Sequence, residues 1–199
     1  MKTVGILLRE KENEMIINKE IIEYLSNYDV NIIGIIIDYN VEFNKIINIV
    51  KICDGVILPG GTNQSNIDIR LARYLYDIDK PTLGICLGMQ NMAVANNGTI
   101  EKLGNNFHDS DLTYVHKINI KKGTKLYGIL ETNKMMVNSR HSYHVTYTNL
   151  DISAYSEDYV IEAVEAKNKK FYIGVQWHPE SIQTNINSKL LIDEFINKL

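Results

Sequence analysis

The chain alternates short apolar runs with longer segments whose apolar residues recur every three or four positions. Short runs without a helical period are typical of buried strands, and periodic segments are typical of amphipathic helices. The pattern predicts strands in the first half of the chain at 3–8, 30–37, 56–58 and 82–85. It predicts helices at 18–28, 44–52, 67–79 and 87–97. Gly98 is expected to end the last of these helices in the left-handed conformation.

One edge of the predicted sheet should gather the chemically interesting residues of this half. Strand–helix–strand units of this length form right-handed crossovers, which produce a mostly parallel sheet with helices on both faces. Ligands of such sheets bind beyond the carboxyl ends of the strands. Gly60 and Gly61 follow the third strand and Cys86 follows the fourth. We therefore expect these residues in one crevice.

The second half of the chain is more polar and its strands alternate more clearly. Residues 100–113 are predicted to form a loop, and turns are expected at Gly123, Gly128 and Asn133. The predicted strands are 114–120, 135–138, 152–156, 160–166 and 171–176, and a final helix is predicted at 187–199. No linker or repeat separates the halves, so the sequence predicts one α/β domain over residues 1–199 with a smaller antiparallel extension in its C-terminal half.

Composition and charge exclude several classes of function. The net charge is −3 and the sequence pI is about 6.0, which gives no sign of a nucleic-acid-binding surface. Two cysteines, Cys53 and Cys86, suit a reducing cytosol and give no disulfide framework. The N-terminus becomes charged at Arg9, too early for a signal peptide, and the apolar run 32–37 is too short to span a bilayer. We therefore expect a cytoplasmic protein without membrane contact.

Cys86 is the first candidate for chemistry because it lies between a predicted strand and a predicted helix. Gly84 and Gly88 flank it at two residues on either side, and small residues there permit a very sharp bend. This is the pattern of a nucleophile elbow with sulfur in place of the serine oxygen. The unpaired N–H groups and the dipole of the helix would favour the reactive thiolate. A buried cysteine before a helix can also be a packing residue. The rest of the sequence is needed to distinguish the two interpretations.

The candidate partner for the sulfur is His178, which follows the predicted strand 171–176. A cysteine nucleophile needs a base, and the base needs a group that orients it. Glu180 is two residues further on, where its carboxylate can accept the Nδ1–H of the imidazole and support the imidazolium. The alternative is a surface histidine with an unrelated surface glutamate. Cys86, His178 and Glu180 at successive strand ends favour the catalytic interpretation.

Two motifs carry a resemblance to a known family. The segment 84–90 reads GICLGMQ and the segment 175–180 reads VQWHPE; together they resemble the class I glutamine amidotransferase superfamily. The segments LPGG at 58–61, VNSRH at 137–141 and IEAVE at 161–165 resemble its γ-glutamyl-γ-aminobutyrate hydrolase branch, the peptidase C26 group. The resemblance implies a flavodoxin-like three-layer sandwich. It also implies a Cys–His–Glu triad that attacks a γ-glutamyl amide and forms a γ-glutamyl thioester.

The expected site extends beyond these three residues. The elbow geometry makes the N–H of Leu87 one donor of an oxyanion hole, and the turn at Gly60 and Gly61 is expected to supply the other. The resemblance also implies a set of residues that bind the α-amino-acid end of the substrate. This set consists of Gln90, Asn138, Ser139, Arg140 and His141.

The chain departs from the hydrolase branch where the substrate would be recognised. That branch usually has arginine after the nucleophile, where this chain has Leu87, and a His-His-Gln run where this chain has His141, Ser142 and Tyr143. The stretch 140–145 instead resembles the glutaminase domain of CTP synthase. These differences leave the triad intact, but they leave the leaving group undetermined.

Three functions remain open at this point. The first is a free-standing γ-glutamyl hydrolase, and the second is a glutaminase subunit that supplies ammonia to a separate synthase subunit. The third is a regulatory protein that kept the fold without catalysis, against which the intact triad argues. A small γ-glutamyl molecule is the expected partner, with a homodimer or a synthase subunit as a further partner. No cofactor or metal is expected, because the spacing of four histidines, His108, His116, His141 and His144, gives no zinc motif with a cysteine.

Overall fold

A nine-stranded mixed sheet forms the centre of the protein. The structure is a computed structural model that describes residues 1–37 and 40–199. The sheet has the order β10-β9-β13-β14-β15-β6-β5-β1-β4. Its strands are β1 (Lys2–Leu7), β4 (Val30–Ile35), β5 (Gly55–Leu58), β6 (Thr82–Ile85), β9 (His116–Ile120), β10 (Lys134–Val137), β13 (Asp151–Ser156), β14 (Ile161–Glu165) and β15 (Tyr172–Val175).

The topology confirms the predicted fold class. The strands β4, β1, β5, β6 and β15 are mutually parallel. Numbered by their order in the chain, these five strands lie in the order 2-1-3-4-5, which is that of flavodoxin-like proteins. The strands β14, β13, β9 and β10 continue the sheet in antiparallel pairs. This continuation is the antiparallel extension predicted for the C-terminal half.

Helices cover both faces of the sheet. The helices are α1 (Lys19–Leu25), α2 (Phe43–Ile52), α3 (Asn66–Asp77), α4 (Leu87–Ala95), α5 (Lys125–Leu130) and α6 (Ile186–Asn197). One apolar cluster contains the buried residues of α1, α5 and α6, and a second contains those of α2, α3 and α4. Along β5, Ile57 packs into the first cluster while Val56 and Leu58 pack into the second. This two-residue alternation is why a strand between two helical layers is apolar throughout.

The sequence prediction misses several short strands. The segment between β1 and α1, where no strand is predicted, forms a hairpin of β2 (Arg9–Lys11) and β3 (Glu14–Ile16). The predicted loop 100–113 contains parts of two further strands. The additional short strands are β7 (Thr99–Lys102), β8 (Asp109–Ser110), β11 (Ser139–Arg140) and β12 (Tyr143–Tyr147). These strands are short and polar, and pairing with a distant segment forms them without a local apolar pattern.

Two glycines have roles other than those predicted. The left-handed residue after α4 is Asn97, with φ of 59°, so the prediction for Gly98 is wrong. A Cβ atom on Gly98 would lie 2.5 Å from the carbonyl oxygens of both Ala93 and Tyr147, so close backbone approach explains the glycine. Gly128 lies inside α5 and does not form the predicted turn.

The strand predicted at 30–37 begins at Val30 as expected and ends at Ile35. Among the helices that the structure describes, none combines the length and the apolar character needed to cross a membrane.

We predict opposite effects on stability for two glycine-to-alanine substitutions in helices. A Cβ atom on Gly88 of α4 would lie 1.9 Å from the carbonyl oxygen of Leu58, so Gly88→Ala should destabilise the protein by about 1–3 kcal/mol or more. A Cβ atom on Gly128 of α5 would meet nothing within 4 Å. Gly128→Ala should therefore stabilise it by about 0.5–1 kcal/mol. Thermal unfolding measures both, and equal melting temperatures for the two variants would contradict the packing described here.

Candidate active site

Cys86 sits on a strained bend between β6 and α4. Its φ of 51° and ψ of −107° place it in a region that residues with a Cβ atom rarely adopt. Its N–H donates to the carbonyl of Val175 over 2.8 Å, which ties the bend to β15. A Cβ atom on Gly84 would lie 2.9 Å from the backbone of Gly88, so the two glycines allow strand and helix to touch. The bend lies where the sequence predicts it.

His178 and Glu180 form a buried pair beside this bend. The Nδ1 atom of His178 lies 2.8 Å from Oε1 of Glu180, a carboxylate that is only 2% exposed. Pro179 begins a short 3₁₀ helix, Pro179–Ile182, which turns the glutamate back toward the imidazole. Burial opposes a charge on His178, but the Glu180 carboxylate and a hydrogen bond with Cys86 raise the pKa of His178 to about 10. The imidazole therefore keeps its proton next to the sulfur at neutral pH.

The turn after β5 closes the third side of the site. A Cβ atom on Gly60 would lie 2.8 Å from Cε1 of His178 and 3.5 Å from Cβ of Cys86. A Cβ atom on Gly61 would lie 3.0 Å from the side chain of Leu87. The structure thus brings together the thiol, the imidazole and the two glycines at the carboxyl edge of the sheet. Only glycine fits at Gly60, because any side chain would displace the imidazole.

Arg9 is a residue of this site that the sequence analysis did not single out. Its Nε donates to the carbonyl of Gly60 over 3.1 Å and its Nη2 to the carbonyl of Pro59 over 2.6 Å. Its Nη1 pairs with Asp68, whose carboxylate is buried in α3. In a trans peptide the C=O and N–H point in opposite directions. The N–H groups of Gly60 and Gly61 therefore point away from Arg9. The signal in the sequence was a charged residue two positions after the end of β1.

Three of the predicted substrate-binding side chains are engaged within the protein. Asn138 is fully buried; its Nδ2 donates to the carbonyl of His178 and its Oδ1 accepts the N–H of His178, both over 2.8 Å. Ser139 is fully buried and donates to the carbonyl of His108. His141 lies in a buried cluster with Glu162. These side chains do not line an open crevice, and Asn138 instead fixes the backbone of His178.

The other two predicted substrate-binding residues differ in their exposure to solvent. Arg140 is exposed, and its guanidinium donates to the hydroxyl of Ser181 over 3.1 Å. Gln90 is buried in α4, where its amide donates to the carbonyl of Tyr143 over 2.9 Å and to the side chain of Gln176 over 3.1 Å. Gln90 thus holds the segment after Arg140 against the helix that begins at Cys86.

A cavity of about 590 Å³ opens beside the glycine turn. Its lining includes Leu8 and Arg9 after β1, Ile37 after β4, and Gly60 and Gly61 after β5. Because β1 lies between β4 and β5, this is the point where the strand order reverses, which is the usual ligand position in such sheets. The cavity meets the site at the glycine turn, and neither Cys86 nor His178 is among the residues that line it.

Comparison with known proteins agrees with this geometry. The family model "Glutamine amidotransferase class-I" matches residues 11–198. The glutamine amidotransferase-like protein RP404 of Rickettsia prowazekii is 30% identical, over 72% of this chain and 76% of that protein. A GMP synthase [glutamine-hydrolyzing] of Francisella tularensis is 32% identical, over 71% of this chain. The match covers only 27% of that synthase, so this chain spans about a quarter of its length.

A solved structure supports the fold independently of sequence identity. The glutaminase domain of Trypanosoma brucei CTPS, with bound acivicin, superposes with a TM-score of 0.75 over 100% of this chain and 95% of that one. The two sequences are 15% identical. At that identity the structural similarity is evidence for the fold alone.

We predict selective alkylation of Cys86 over Cys53 at neutral pH. Burial raises the pKa of the Cys53 thiol, whereas Cys86 lies beside His178, whose pKa the Glu180 carboxylate raises. Iodoacetamide at pH 7 should label Cys86 first, and Glu180→Gln should slow that labelling about tenfold because it removes the carboxylate that supports the imidazolium. Peptide mapping by mass spectrometry measures both rates. Equal labelling of the two cysteines would contradict this account of the site.

Proposed function

The chain belongs to the class I glutamine amidotransferase family, and we propose on that basis that it hydrolyses a γ-glutamyl amide bond through a thioester on Cys86. The observation that carries the proposal is the contact of the strained Cys86 with the buried His178–Glu180 pair. In a triad of this kind the sulfur is the nucleophile, the imidazole moves the proton and the carboxylate orients the imidazole.

The first half of the proposed reaction forms the thioester. The Cys86 thiolate attacks the carbonyl carbon of the γ-amide, and the carbonyl electron pair moves onto the oxygen. His178 then gives its proton to the nitrogen, the C–N bond breaks, and the amine or ammonia leaves. In the second half, His178 takes a proton from water, whose oxygen attacks the thioester carbon. The C–S bond breaks, which releases glutamate and restores the thiolate.

The proposed oxyanion hole consists of the N–H groups of Leu87 and of the Gly60–Gly61 turn. Leu87 is the first residue of α4, where the N–H has no partner within the helix. Arg9 holds the carbonyls of Pro59 and Gly60, which fixes the direction of the glycine N–H groups before substrate arrives. Donors fixed in advance stabilise the developing charge without a reorganisation cost.

Two substrates of one chemical class fit this mechanism, namely glutamine and a γ-glutamyl amine. A free-standing hydrolase of a γ-glutamyl amine, with water as the acceptor, is the first candidate. The cavity of about 590 Å³ is lined by Gly60 and Gly61 but not by Cys86, so its volume does not decide between the two substrates. We expect both cysteines to stay reduced, as in a cytosolic compartment, because neither forms a disulfide.

A second candidate is a glutaminase subunit that supplies ammonia to a synthase subunit. The observation that favours it is the match to one quarter of a GMP synthase, an enzyme whose name states that it hydrolyses glutamine. A non-catalytic member of the family is a third candidate. The conjunction of Cys86, His178 and Glu180 argues against it, because a regulatory protein has no need of a buried imidazolium next to a cysteine.

We predict that Cys86→Ala abolishes turnover of γ-glutamyl amides while the fold persists. The substrates to test are glutamine and a panel of γ-glutamyl amines, with glutamate release as the readout. Cys53→Ala is the matched control and should retain the wild-type rate, because Cys53 packs in the second apolar cluster away from the site. Acid quenching of the wild-type reaction should trap a γ-glutamyl adduct on the peptide that contains Cys86.

The same assay separates the candidates. Release of glutamate from a γ-glutamyl amine by the chain alone identifies the hydrolase. Release from glutamine only after addition of a synthase subunit identifies the glutaminase. Wild-type turnover by Cys86→Ala would refute the mechanism, and a lack of labelling of Cys86 by a γ-glutamyl chloroketone would favour the non-catalytic member.

We predict that Arg9→Met lowers kcat about 10–100-fold with little change in KM. The variant loses the two hydrogen bonds that fix the glycine turn, so the oxyanion loses well-aligned donors while ground-state binding persists; removal of a whole donor costs about 100–1,000-fold. Arg73→Met, which removes an exposed ion pair on α3, is the control. A rise in KM with unchanged kcat would place Arg9 in substrate binding and contradict the positioning role.

A further inference from the structure

A buried cluster of three histidines and one glutamate lies outside the catalytic triad. Its members are His108, His116, His141 and Glu162. One donor atom from each residue lies within 4.8 Å of the donor atom of every other. Glu162 is completely buried, and His108 and His141 are at most 5% exposed. The spacing of these residues along the chain gives no metal motif, because they come from a loop, two strands and the segment after β11.

The carboxylate of Glu162 has no hydrogen-bond partner. Both of its oxygens are buried and unsatisfied, and so are the Nε2 atoms of His116 and His141. Oε1 of Glu162 lies 3.4 Å from Nδ1 of His108, 3.5 Å from Nε2 of His116 and 3.8 Å from Nε2 of His141. These separations are too long for good N–H···O hydrogen bonds. A buried carboxylate that no donor reaches at hydrogen-bond distance is costly, and a cation bound among these side chains would remove that cost.

The ring nitrogens that face away from Glu162 show where the proton of each neutral imidazole lies. Nδ1 of His141 lies 3.0 Å from the carbonyl of Tyr143, and Nε2 of His108 lies 3.0 Å from the carboxylate of Asp158. Both partners only accept, so these nitrogens carry the ring protons. Nδ1 of His116 lies 3.4 Å from the carbonyl of Lys117, which is too far to fix the position of its ring proton. In the neutral rings of His108 and His141, the nitrogens that face Glu162 therefore present lone pairs, and His116 can do the same with its proton on Nδ1.

Three lone pairs and a carboxylate that converge on one point form a metal-ligand set. We propose that His108, His116, His141 and Glu162 bind one divalent transition metal ion, Zn²⁺, in a closed tetrahedral site. With bonds of about 2.0–2.2 Å, the donor atoms of such a site are about 3.3–3.5 Å apart. The observed separations from Glu162 of 3.4, 3.5 and 3.8 Å are close to this spacing. Imidazole nitrogens with one carboxylate favour Zn²⁺ over Mg²⁺ or Ca²⁺, which prefer oxygen ligands.

The surroundings of the cluster have the features of a metal site. Metal-binding histidines normally donate their other N–H to a carboxylate or a carbonyl, as His108 and His141 do here. Zn²⁺ with the Glu162 and Asp158 carboxylates and three neutral imidazoles has no net charge. Four protein ligands leave no open position for a reacting water, so the site is structural.

The ion would fix the segments that support the active site. It would join the loop before β8, the start of β9, the segment after β11 and the strand β14, which contacts β15. The carbonyl of Tyr143 accepts hydrogen bonds from both His141 and Gln90, so the cluster is two hydrogen bonds away from α4. This inference does not depend on the proposed reaction.

Direct metal binding tests the proposal. Full-length protein is stripped with a chelator, loaded with Zn²⁺ or with Co²⁺, and passed through a desalting column before metal analysis. The expected result is one zinc per chain and, with Co²⁺, the visible absorption of a four-coordinate site. His116→Ala and Glu162→Gln should lose stoichiometric binding, and Asp158→Asn should weaken the affinity about 10–100-fold.

The control is His144→Ala, which removes a neighbouring histidine that is not part of the cluster. It should retain one zinc per chain. If Glu162→Gln does not fold, His116→Ala decides the test, because its side chain is 15% exposed and can be removed with less disturbance. Absence of zinc binding by the wild type, or full binding by both ligand variants, overturns the proposal. Either result leaves the thioester assay unaffected, so the two proposals fail separately.

Discussion

The bend at Cys86 is the constraint on which the rest of the site depends. A residue with a Cβ atom holds a φ of 51° there only because strand and helix approach each other through Gly84 and Gly88. The hydrogen bond from the N–H of Cys86 to the carbonyl of Val175 fixes the bend to the neighbouring strand. That strand leads directly to His178, so the same contact that stabilises the bend sets the distance between sulfur and imidazole.

The packing around the bend leaves little freedom for the other parts of the site. Gly60 touches the imidazole from the strand on the opposite side of β6, and Arg9 holds the turn that contains it. Asn138 holds both backbone groups of His178 from the antiparallel extension. The parallel strands lead to Cys86, His178 and Gly60, and Asn138 connects the antiparallel extension to the same site.

Local patterns in the sequence predicted the parallel core and the proximity of Cys86, His178 and Gly60. The apolar runs that became β1, β5, β6 and β15 are buried on both faces, and their composition alone identifies them. The site motifs lie directly after these strands, so their proximity followed from topology. The strands β7, β8 and β11 could not be predicted, because polar segments of two to four residues become strands only through a distant partner.

The roles of Asn138, His141 and Arg9 depend on tertiary contacts in the same way. Their residue types fit substrate binding or solvent exposure equally well, and the fold assigns them to hydrogen bonds within the protein. The cluster around Glu162 shows this dependence most clearly. Its residues lie as far apart in the chain as His108 and Glu162, and only the strand pairing brings them together.

The shared carbonyl of Tyr143 has a consequence for how the molecule can move. One oxygen accepts the amide of Gln90, on the helix that follows Cys86, and the imidazole of His141 in the histidine cluster. Rotation of that single peptide plane would break both bonds at once. The candidate site and the buried histidine cluster therefore depend on the same backbone carbonyl, although no side chain belongs to both.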